Sequence, residues 1–220
     1  MLLKLVTFFF PWTIRRILLN KCFGYKIDKK AKIGMSWIFP KDLSMASGAT
    51  IGHFTVAINL DRIEMGPDTI IGRGNWITGF PTDSSSPHFR HQTNRKARLI
   101  LMNSAAITKN HHIDCTNLIQ IGRFSTIAGY QSQLLTHSIN VRNNQQDSAP
   151  IYIGDYTFIG TNVVILGGSS LPNYSVLGAK SLLNKSFTKQ WTLYAGVPAQ
   201  AVQDIPSDSK YFHRTQGFVY

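Results

Sequence analysis

Apolar residues recur at every sixth position through most of this 220-residue chain. The series starts at Ile27, is interrupted in two places, and ends at Leu183. Its members are Ile27, Ile33, Phe39, Met45, Ile51, Ala57, Met65, Ile71, Ile77, Leu101, Ile107, Ile113, Ile121, Ile127, Ile153, Ile159, Ile165, Leu171, Leu177 and Leu183. The apolar stripe of an α-helix follows a period of 3.6, and a hairpin sheet follows a period of two, so neither explains a period of six.

Small residues accompany the apolar series in a fixed register. Eight of the 17 glycines come directly after an apolar member, and Ala, Ser or Thr often lies two positions before one. Glycine tolerates positive φ and is therefore favoured at bends. Each hexad is predicted to be a short strand followed by a bend. Three hexads then close one triangular coil of a parallel β-helix, and successive coils stack about 4.8 Å apart.

The acidic composition agrees with an all-β chain. Ten acidic residues are Asp and only one, Glu64, is Glu. Helical proteins use Glu freely on their surfaces, so most of this chain is predicted not to be helical.

Three strings near the C-terminus resemble the hexapeptide-repeat acyltransferases, and among them the bacterial sugar and polysaccharide O-acetyltransferases. The strings are IGDYTFIGTNVVIL (153–166), LGAKSLL (177–183) and YAGVPAQAV (194–202). The resemblance covers residues 27–204. It implies a left-handed β-helix, acetyl-CoA as the acyl donor, and a homotrimer with its active site between subunits. The period alone does not define the hand of the helix.

We expect an N-terminal segment (1–26), the β-helix domain (27–204) and a C-terminal tail (205–220). Two segments break the period, 78–100 and 134–150, and we predict that both are loops leaving the β-helix. Loops on a rigid scaffold often carry function. The first is rich in Ser, Pro and basic residues, and it is either a disordered insertion or a loop whose arginines meet an anionic acceptor or CoA phosphates.

The N-terminus is basic and apolar. The first 41 residues hold nine Lys and Arg against Asp28 alone, in a chain whose net charge is +12. This combination favours an anionic membrane surface over nucleic acid, because 101–204 are nearly balanced in charge. A helix starting at Pro11 would place Ile14, Ile17 and Leu18 on one face, which predicts an amphipathic helix lying on the inner membrane. The alternative is a helix that caps the open end of the β-helix, and one helix can do both.

The chain lacks the features of a secreted or membrane-spanning protein. The N-terminus has no small-residue cleavage site, and no uncharged apolar run reaches 18 residues. Two cysteines, Cys22 and Cys115, are expected to be reduced thiols. We therefore expect a cytoplasmic enzyme, peripheral on the inner membrane.

A histidine is the natural general base for acyl transfer to a hydroxyl near neutral pH. His137 lies in LLTHS, where the chain leaves the β-helix. The family that the chain resembles places its catalytic histidine in such a TH element, so we expect His137 to be the general base.

The NHHIDC string supplies further candidates. His111 occupies a slot that other hexads fill with small residues, which indicates a functional demand or a shift in register. By resemblance, Asn110 or His111 would hold the acceptor hydroxyl, so His111 is a second catalytic candidate. Asp114 would orient a histidine or bind a sugar hydroxyl. The alternative for each residue is a hydrogen-bonded polar position without a role in catalysis.

The donor site is expected along the C-terminal coils. By resemblance, backbone groups at Thr161 and Ala179 hold the pantetheine arm, and Asn184 and Lys185 occupy the place of a Thr-Lys pair near the nucleotide. Lys180 is an added basic candidate for phosphate. Gln200 stands where the family often has Arg or Lys.

The sequence thus predicts an acetyl-CoA-dependent O-acetyltransferase of surface polysaccharide biosynthesis, acting on a sugar or lipid-linked saccharide, with no metal and no nucleic-acid partner. One alternative is a zinc-dependent, carbonic-anhydrase-like trimer using His111, His112 and His137. Adjacent strand residues point in opposite directions, which argues against that site. The other alternative is a non-catalytic, membrane-associated scaffold.

Overall fold

The structure is a computed structural model that describes residues 2–219. It begins with two helices, α1 (Leu2–Val6) and α2 (Trp12–Phe23), with a 3-10 turn (Thr7–Phe9) between them. Short strands fill the rest of the chain, and a second 3-10 turn (Lys210–His213) follows the last of them. The strands are β1 (Lys26–Ile27), β2 (Lys32–Ile33), β3 (Trp37–Ile38), β4 (Asp42–Met45), β5 (Thr50–Ile51), β6 (Val56–Ala57), β7 (Arg62–Met65), β8 (Ile70–Ile71), β9 (Trp76–Thr78), β10 (Arg98–Leu101), β11 (Ala106–Ile107), β12 (His112–Asp114), β13 (Ile119–Ile121), β14 (Thr126–Ile127), β15 (Gln133–Leu135), β16 (His137–Asn140), β17 (Gln145–Ser148), β18 (Ile151–Ile153), β19 (Phe158–Ile159), β20 (Val164–Leu166), β21 (Ser170–Leu171), β22 (Val176–Leu177), β23 (Leu182–Leu183), β24 (Thr192–Gly196) and β25 (Ala199–Asp204).

The strands form the three flat faces of a left-handed parallel β-helix, as predicted. Face A is β1-β4-β7-β10-β13-β18-β21, face B is β2-β5-β8-β11-β14-β19-β22-β24-β25, and face C is β3-β6-β9-β12-β15-β20-β23. Consecutive strands of the chain belong to different faces, so three strands complete one coil. Strands within a face pair in parallel, except for β25, which turns back antiparallel to β24.

The predicted apolar series fills the interior. On face B, Ile33 pairs with Ile51, Ile51 with Ile71, and Ile107 with Ile127, and all of these side chains are buried. The series is wrong at Phe39, because Ile38 is the inward residue and pairs with Ala57. The turn between β2 and β3 has one residue fewer than the six-residue spacing requires, and the turn between β3 and β4 has one residue more, so the spacing is regular again at Met45. Phe39 instead meets Phe8 of the N-terminal segment, with ring centroids 6.4 Å apart.

The glycines that follow inward residues are required for a different reason from the one predicted. None of these eight glycines has positive φ. A Cβ on Gly72 would lie 2.0 Å from the backbone oxygen of Thr108 on the next coil. The left-handed positions are instead held largely by larger residues such as Asn110 (φ 56°) and Phe124 (φ 56°). Close stacking of coils, rather than backbone conformation, therefore selects glycine in this register.

Helix α2 caps the open end of the β-helix. Three of its polar side chains donate hydrogen bonds to carbonyls of the first coil: Trp12 to Ala31 (3.0 Å), Arg15 to Gly34 and Ser36 (both 3.1 Å), and Asn20 to Ile27 (3.0 Å). Leu19 joins the core beneath. These contacts satisfy carbonyls that no further coil would satisfy.

The predicted apolar face of α2 is not the face that packs on the β-helix. Ile14 and Ile17 stay 46% and 41% exposed, and Leu18 is only half-buried. Within residues 2–219, no helix combines the length and the apolar character needed to cross a membrane.

Both interruptions of the period leave the β-helix after a face C strand. The first loop, 79–97, is held by the buried Arg95 side chain, which donates to the carbonyls of Phe80, Thr116 (2.6 Å) and Pro81 (3.1 Å). It is therefore a folded excursion rather than a disordered insertion, and Arg95 is engaged by backbone rather than by an anion. The second interruption is the antiparallel hairpin β16–β17.

The C-terminal tail returns along the corner between faces A and B. Four aromatic rings stack there on successive coils, at centroid distances of 4.8, 5.6 and 4.5 Å: Phe124, Tyr156, Tyr174 and Trp191. Arg214 donates to the Phe124 carbonyl and lies 3.9 Å from the Tyr211 ring. Gly217 passes beside Ser104, and residues 215–218 border a cavity of about 450 Å³ that Gly48 also lines. We call residues 206–219 the strap.

The buried apolar series predicts that substitutions at two neighbouring positions differ sharply in their effect on stability. Ile127 is fully buried and Thr126 points outward. Ile127→Ala is expected to lower the free energy of unfolding by about 2–5 kcal/mol, because it opens a cavity that the stacked coils cannot close. Thr126→Ala should cost about 0.5 kcal/mol or less. Denaturant unfolding measures the free energy of unfolding of both variants. Similar losses for the two would contradict the inward position of Ile127.

Candidate active site

His137 stands where the chain leaves face C to form the hairpin. Its Nδ1 lies 3.9 Å from Asp114 Oδ2, its Nε2 contacts the side-chain amide of Gln146, and the Phe89 ring packs against it at 5.4 Å. The side chain is 39% exposed. The Gln146 atom that contacts Nε2 is the amide oxygen, so Nε2 can accept a proton only when Gln146 gives way to an acceptor hydroxyl and the ring proton is on Nδ1, the nitrogen nearer Asp114.

Asp114 is held in place at the end of β12. Its Oδ1 accepts the backbone N–H of Thr116 at 2.8 Å, and its backbone carbonyl accepts the Thr136 hydroxyl at 2.7 Å. Thr136 directly precedes His137, so the pairing of β12 with β15 sets the distance between carboxylate and imidazole. Asp114 thus lies beside His137 in the same chain, in the orienting position that the sequence left open.

The loop 79–97 forms hydrogen bonds with the base of the hairpin. Ser148 lies directly opposite His137 in the β16–β17 pair and donates to Gln92 Oε1 at 2.5 Å. Gln92 in turn donates to Asp147 at 2.7 Å, and Asn117 donates to Ser148 at 3.2 Å. A cleft of about 400 Å³ opens beside these hydrogen bonds, between residues 91–96 of the loop and Tyr152.

Sequence reasoning missed Phe89, Gln92 and Ser148. They meet only because both excursions leave from the same corner of face C, two coils apart. The period does not show this common corner, because its last members before the two breaks are Ile77 on face C and Ile127 on face B. The strand β15, with Leu134 buried, overlaps 134–150, which the sequence predicted to be a loop from its start.

His111 is a buried corner residue. It is 2% exposed, its Nδ1 accepts the Ser132 N–H at 3.1 Å, and its Nε2 lies 3.0 Å from the Thr108 hydroxyl. It therefore occupies the buried corner position that Asn75 and Ser132 fill on the neighbouring coils. Both ring nitrogens are occupied, so this arrangement offers no free nitrogen to a substrate. Burial lowers the pKa of His111 to about 4.

The other candidates divide between the two edges of face C. Asn110 and Lys180 are exposed at the B–C corner, where Ala179 stacks on Gly160 and Thr161 bonds to the Tyr130 carbonyl (3.1 Å). Asn110 lies in the corner before β12, four residues from Asp114, so it is about 13 Å from the His137 edge at the rise of a strand. One chain alone does not bring Asn110 and His137 together.

Asn184 and Lys185 lie at the same corner as His137, two coils further along. Leu135 pairs with Leu166, and Ile165 pairs with Leu183 of the next coil. The Lys185 ammonium lies 3.3 Å from Gln200 Oε1 and 5.2 Å from the Phe187 ring. Gln200, which departs from the family pattern, therefore holds this lysine.

The zinc alternative gains no ligand cluster from residues 2–219. No group of three His, Cys, Asp or Glu side chains is gathered there. His111 faces inward and His112 outward, and His137 lies at the far end of the strand. Cys115 is fully buried, and burial raises the pKa of its thiol, as expected for a packing residue.

The chain resembles known proteins in part of its sequence and in its fold. No protein-family model matches it. It is 33% identical over 72 residues to galactoside O-acetyltransferase of Escherichia coli (strain K12), and the match spans 33% of this chain and 35% of that protein. The chain thus matches about a third of the length of this curated relative.

Two solved structures share the architecture. The polysialic acid O-acetyltransferase OatWY has a TM-score of 0.63 at 17% identity, with 87% of this chain and 90% of that chain covered. A mutant of AntD, an N-acyltransferase from Bacillus cereus in complex with dTDP and coenzyme A, has a TM-score of 0.50 at 14% identity, with 87% and 89% covered. At these identities the likeness concerns the fold.

The buried His111 predicts an acid-dependent loss of stability. Its pKa is depressed from 6.5 to about 4 in the folded chain, so the unfolded chain binds a proton first as pH falls. The free energy of unfolding should fall between pH 6.5 and about 4, by about 3 kcal/mol from this group. His111→Asn, which copies the residue at Asn75, should lose this part of the pH dependence.

Chemical unfolding at a series of pH values measures the effect. His112→Asn is the matched control, because His112 is exposed. Parallel curves for the wild type and His111→Asn would contradict the assignment.

Proposed function

We propose that this chain, which has the left-handed β-helix fold of the hexapeptide-repeat acyltransferases, transfers an acetyl group from acetyl-CoA to a saccharide hydroxyl. The observation that carries the proposal is the His137–Asp114 pair, at 3.9 Å, where the hairpin leaves the β-helix. Ser148, which lies opposite His137 in the hairpin, lines the open cleft. An exposed imidazole backed by a carboxylate is the arrangement needed to deprotonate a hydroxyl near neutral pH.

The proposed reaction needs no acyl-enzyme. His137 Nε2 takes the proton of the acceptor hydroxyl as its oxygen bonds to the thioester carbonyl carbon. The carbon–sulfur bond then breaks, the acetyl ester remains on the sugar, and the imidazolium returns its proton to the CoA thiolate. Asp114 orients the ring and stabilises the imidazolium.

The donor is proposed to bind along the C-terminal coils. Lys180 and Lys185 offer exposed ammonium groups for phosphates, and Asn184 lies next to Lys185. Thr161 and Ala179 offer backbone groups for the pantetheine arm.

The acceptor class is inferred from the relatives and from the cleft. Galactoside and polysialic acid are the acceptors named for two O-acetyltransferases that resemble the chain in sequence or fold. Amide and hydroxyl side chains of Gln92, Asn117 and Ser148 line or support the cleft, and the Tyr152 ring offers an apolar platform. These are groups that bind sugars. We therefore propose a saccharide of bacterial surface polysaccharide biosynthesis, processed in the cytoplasm at the inner membrane.

A homotrimer is proposed to complete the site. Apolar side chains stay exposed on or beside face C near the cap: Met35 (64%), Trp37 (54%), Phe54 (70%) and Trp76 (49%). Burying them against a second copy would bring the Asn110 corner of one chain toward the His137 corner of another, which a single chain cannot do.

His137→Ala is expected to lower the rate of acetyl transfer on the order of 10²–10⁴-fold, equal to roughly 3–5 kcal/mol of barrier, because the general base is lost. The measurement is product formation by mass spectrometry from acetyl-CoA and candidate saccharides, with sugar amines included to detect N-acyl transfer. Asp114→Asn should also lower the rate.

His213→Ala is the control, because His213 is exposed on the strap, away from the hairpin and from face C. Thermal unfolding should be unchanged in all three variants. Near wild-type turnover by His137→Ala would remove this residue from the mechanism.

The trimer proposal predicts that charge on face C separates the subunits. The double variant Trp37→Glu, Trp76→Glu should shift the molar mass from trimer to monomer and reduce transfer, since the site needs a neighbour. Light scattering and circular dichroism measure mass and folding. Val202→Glu, at an exposed apolar position on β25, should change neither. A monomeric wild type, or an unaltered mass in the double variant, would contradict the proposal.

A further inference from the structure

The capped end of the β-helix carries an apolar surface that no other part of the described chain covers. We define this end surface as Val6 (55% exposed), Phe9 (89%), Phe10 (42%), Ile14 (46%) and Ile17 (41%). Phe8, between two of these residues in sequence, turns inward beneath Arg15 at 4.0 Å. The end surface is thus distinct from the packed side of the cap.

The end surface points away from the coils. Trp12, Arg15 and Leu19 define the side of α2 that contacts the first coil. At 100° per residue, Ile14 and Ile17 lie on the opposite side of the helix. Since α2 bonds to carbonyls on face A, at the A–B corner and at the B–C corner of the first coil, its opposite side faces outward along the axis of the β-helix.

Unpaired positive charge surrounds the end surface. Five lysines of α2 and the first coil are exposed and form no ion pair within residues 2–219: Lys21, Lys26, Lys29, Lys30 and Lys32. The other cations of this segment are already engaged; Lys4 binds the Tyr25 hydroxyl and Arg15 binds backbone carbonyls. Asp28 is the only acidic residue before Asp42.

We infer that the capped end docks on an anionic lipid bilayer. Aromatic and aliphatic side chains would enter the headgroup boundary while the lysines meet lipid phosphates. The charge complementarity selects lipid over a second copy of this chain, because two such ends would repel each other. Three β-helices packed side by side about a parallel axis would present three end surfaces in one plane and strengthen binding.

Docking in this orientation limits how close to the membrane an acceptor hydroxyl can be acetylated. This step rests on the proposed function. Face C places β15, which leads into His137, four strands beyond β3. At about 4.8 Å per coil, plus about 10 Å for the cap helix, the imidazole stands roughly 30 Å above the bilayer. The geometry therefore favours a long lipid-linked saccharide that is acetylated several sugar units from its lipid, rather than at the sugar next to the membrane.

The test is flotation of the full chain with vesicles of phosphatidylcholine alone or mixed with phosphatidylglycerol. We expect binding to the mixed vesicles only, weakened by salt. Phe9→Ser with Phe10→Ser should reduce binding about tenfold or more, through lost apolar burial. Lys29→Glu with Lys30→Glu should reduce it on the order of thirtyfold or more, since each basic residue near the surface contributes about fivefold.

The control is Arg142→Glu with Lys210→Glu, which changes the net charge equally at exposed positions away from the capped end that form no ion pair within residues 2–219, and it should bind as the wild type does. His137→Ala should also bind normally, so docking is tested apart from catalysis. No binding to mixed vesicles, or equal losses in the control, overturns the inference. Circular dichroism verifies that each variant is folded.

The docking variants should reduce transfer to a saccharide on its lipid within mixed vesicles, but not to the same saccharide released from the lipid. Equal losses on both acceptors would overturn the orientation.

Discussion

The fixed distance between stacked coils governs this structure. Parallel strands bond at about 4.8 Å, so each inward side chain must rest on the one below it. That requirement selects Ile, Leu and Met for the inward positions of the flat faces. It also selects glycine at positions such as Gly72, where a carbonyl of the next coil leaves no room for a Cβ. It also leaves the first coil with carbonyls that need donors, and α2 supplies them from Trp12, Arg15 and Asn20. A polar residue inside this stack must be fully bonded, as His111 is.

The candidate site depends on where the regular stack is broken. Both excursions leave from one corner of face C, which allows the first loop to brace the second through Gln92 and Ser148. Thr136 ties the departing strand to the Asp114 backbone, so His137 emerges at a defined distance from a carboxylate. The rigid part of the molecule supplies the position, and the interruptions supply the groups that act on a substrate. This division explains why almost no regular hexad contributes to the His137 surroundings.

The period predicted the coils and the faces, and all members of its series but one are buried, because side-chain packing inside a narrow prism tolerates few exceptions. It did not include the second inward residue of the longer face A strands, such as Ile63, or Leu134 of β15. It was wrong at Phe39, since counting by six assumes corners of equal length. The sequence left open whether α2 lies on a membrane or caps the β-helix. Hydrogen bonds from Trp12, Arg15 and Asn20 to open carbonyls make it the cap, and the side with Ile14 and Ile17 remains exposed. The sequence showed that His111 occupies a slot for small residues. It could not show that hydrogen bonds to Thr108 and Ser132 accommodate the ring, because these depend on how the coils stack. Contacts between the two excursions depend on loop conformations that a period does not encode.

The strap changes how such a stack can come apart. A solenoid ordinarily has contacts only between adjacent repeats, so its end coils can fray one at a time. Here residues 206–219 run back along the aromatic column from Trp191 to Phe124 and on to Ser104, and Arg214 alone connects the tail to two coils. Opening the last coil therefore also detaches contacts on coils near the middle of the stack. Local breathing at the C-terminal end is thereby coupled to the middle of the molecule, and amide hydrogens there would exchange with solvent as one unit rather than in a gradient.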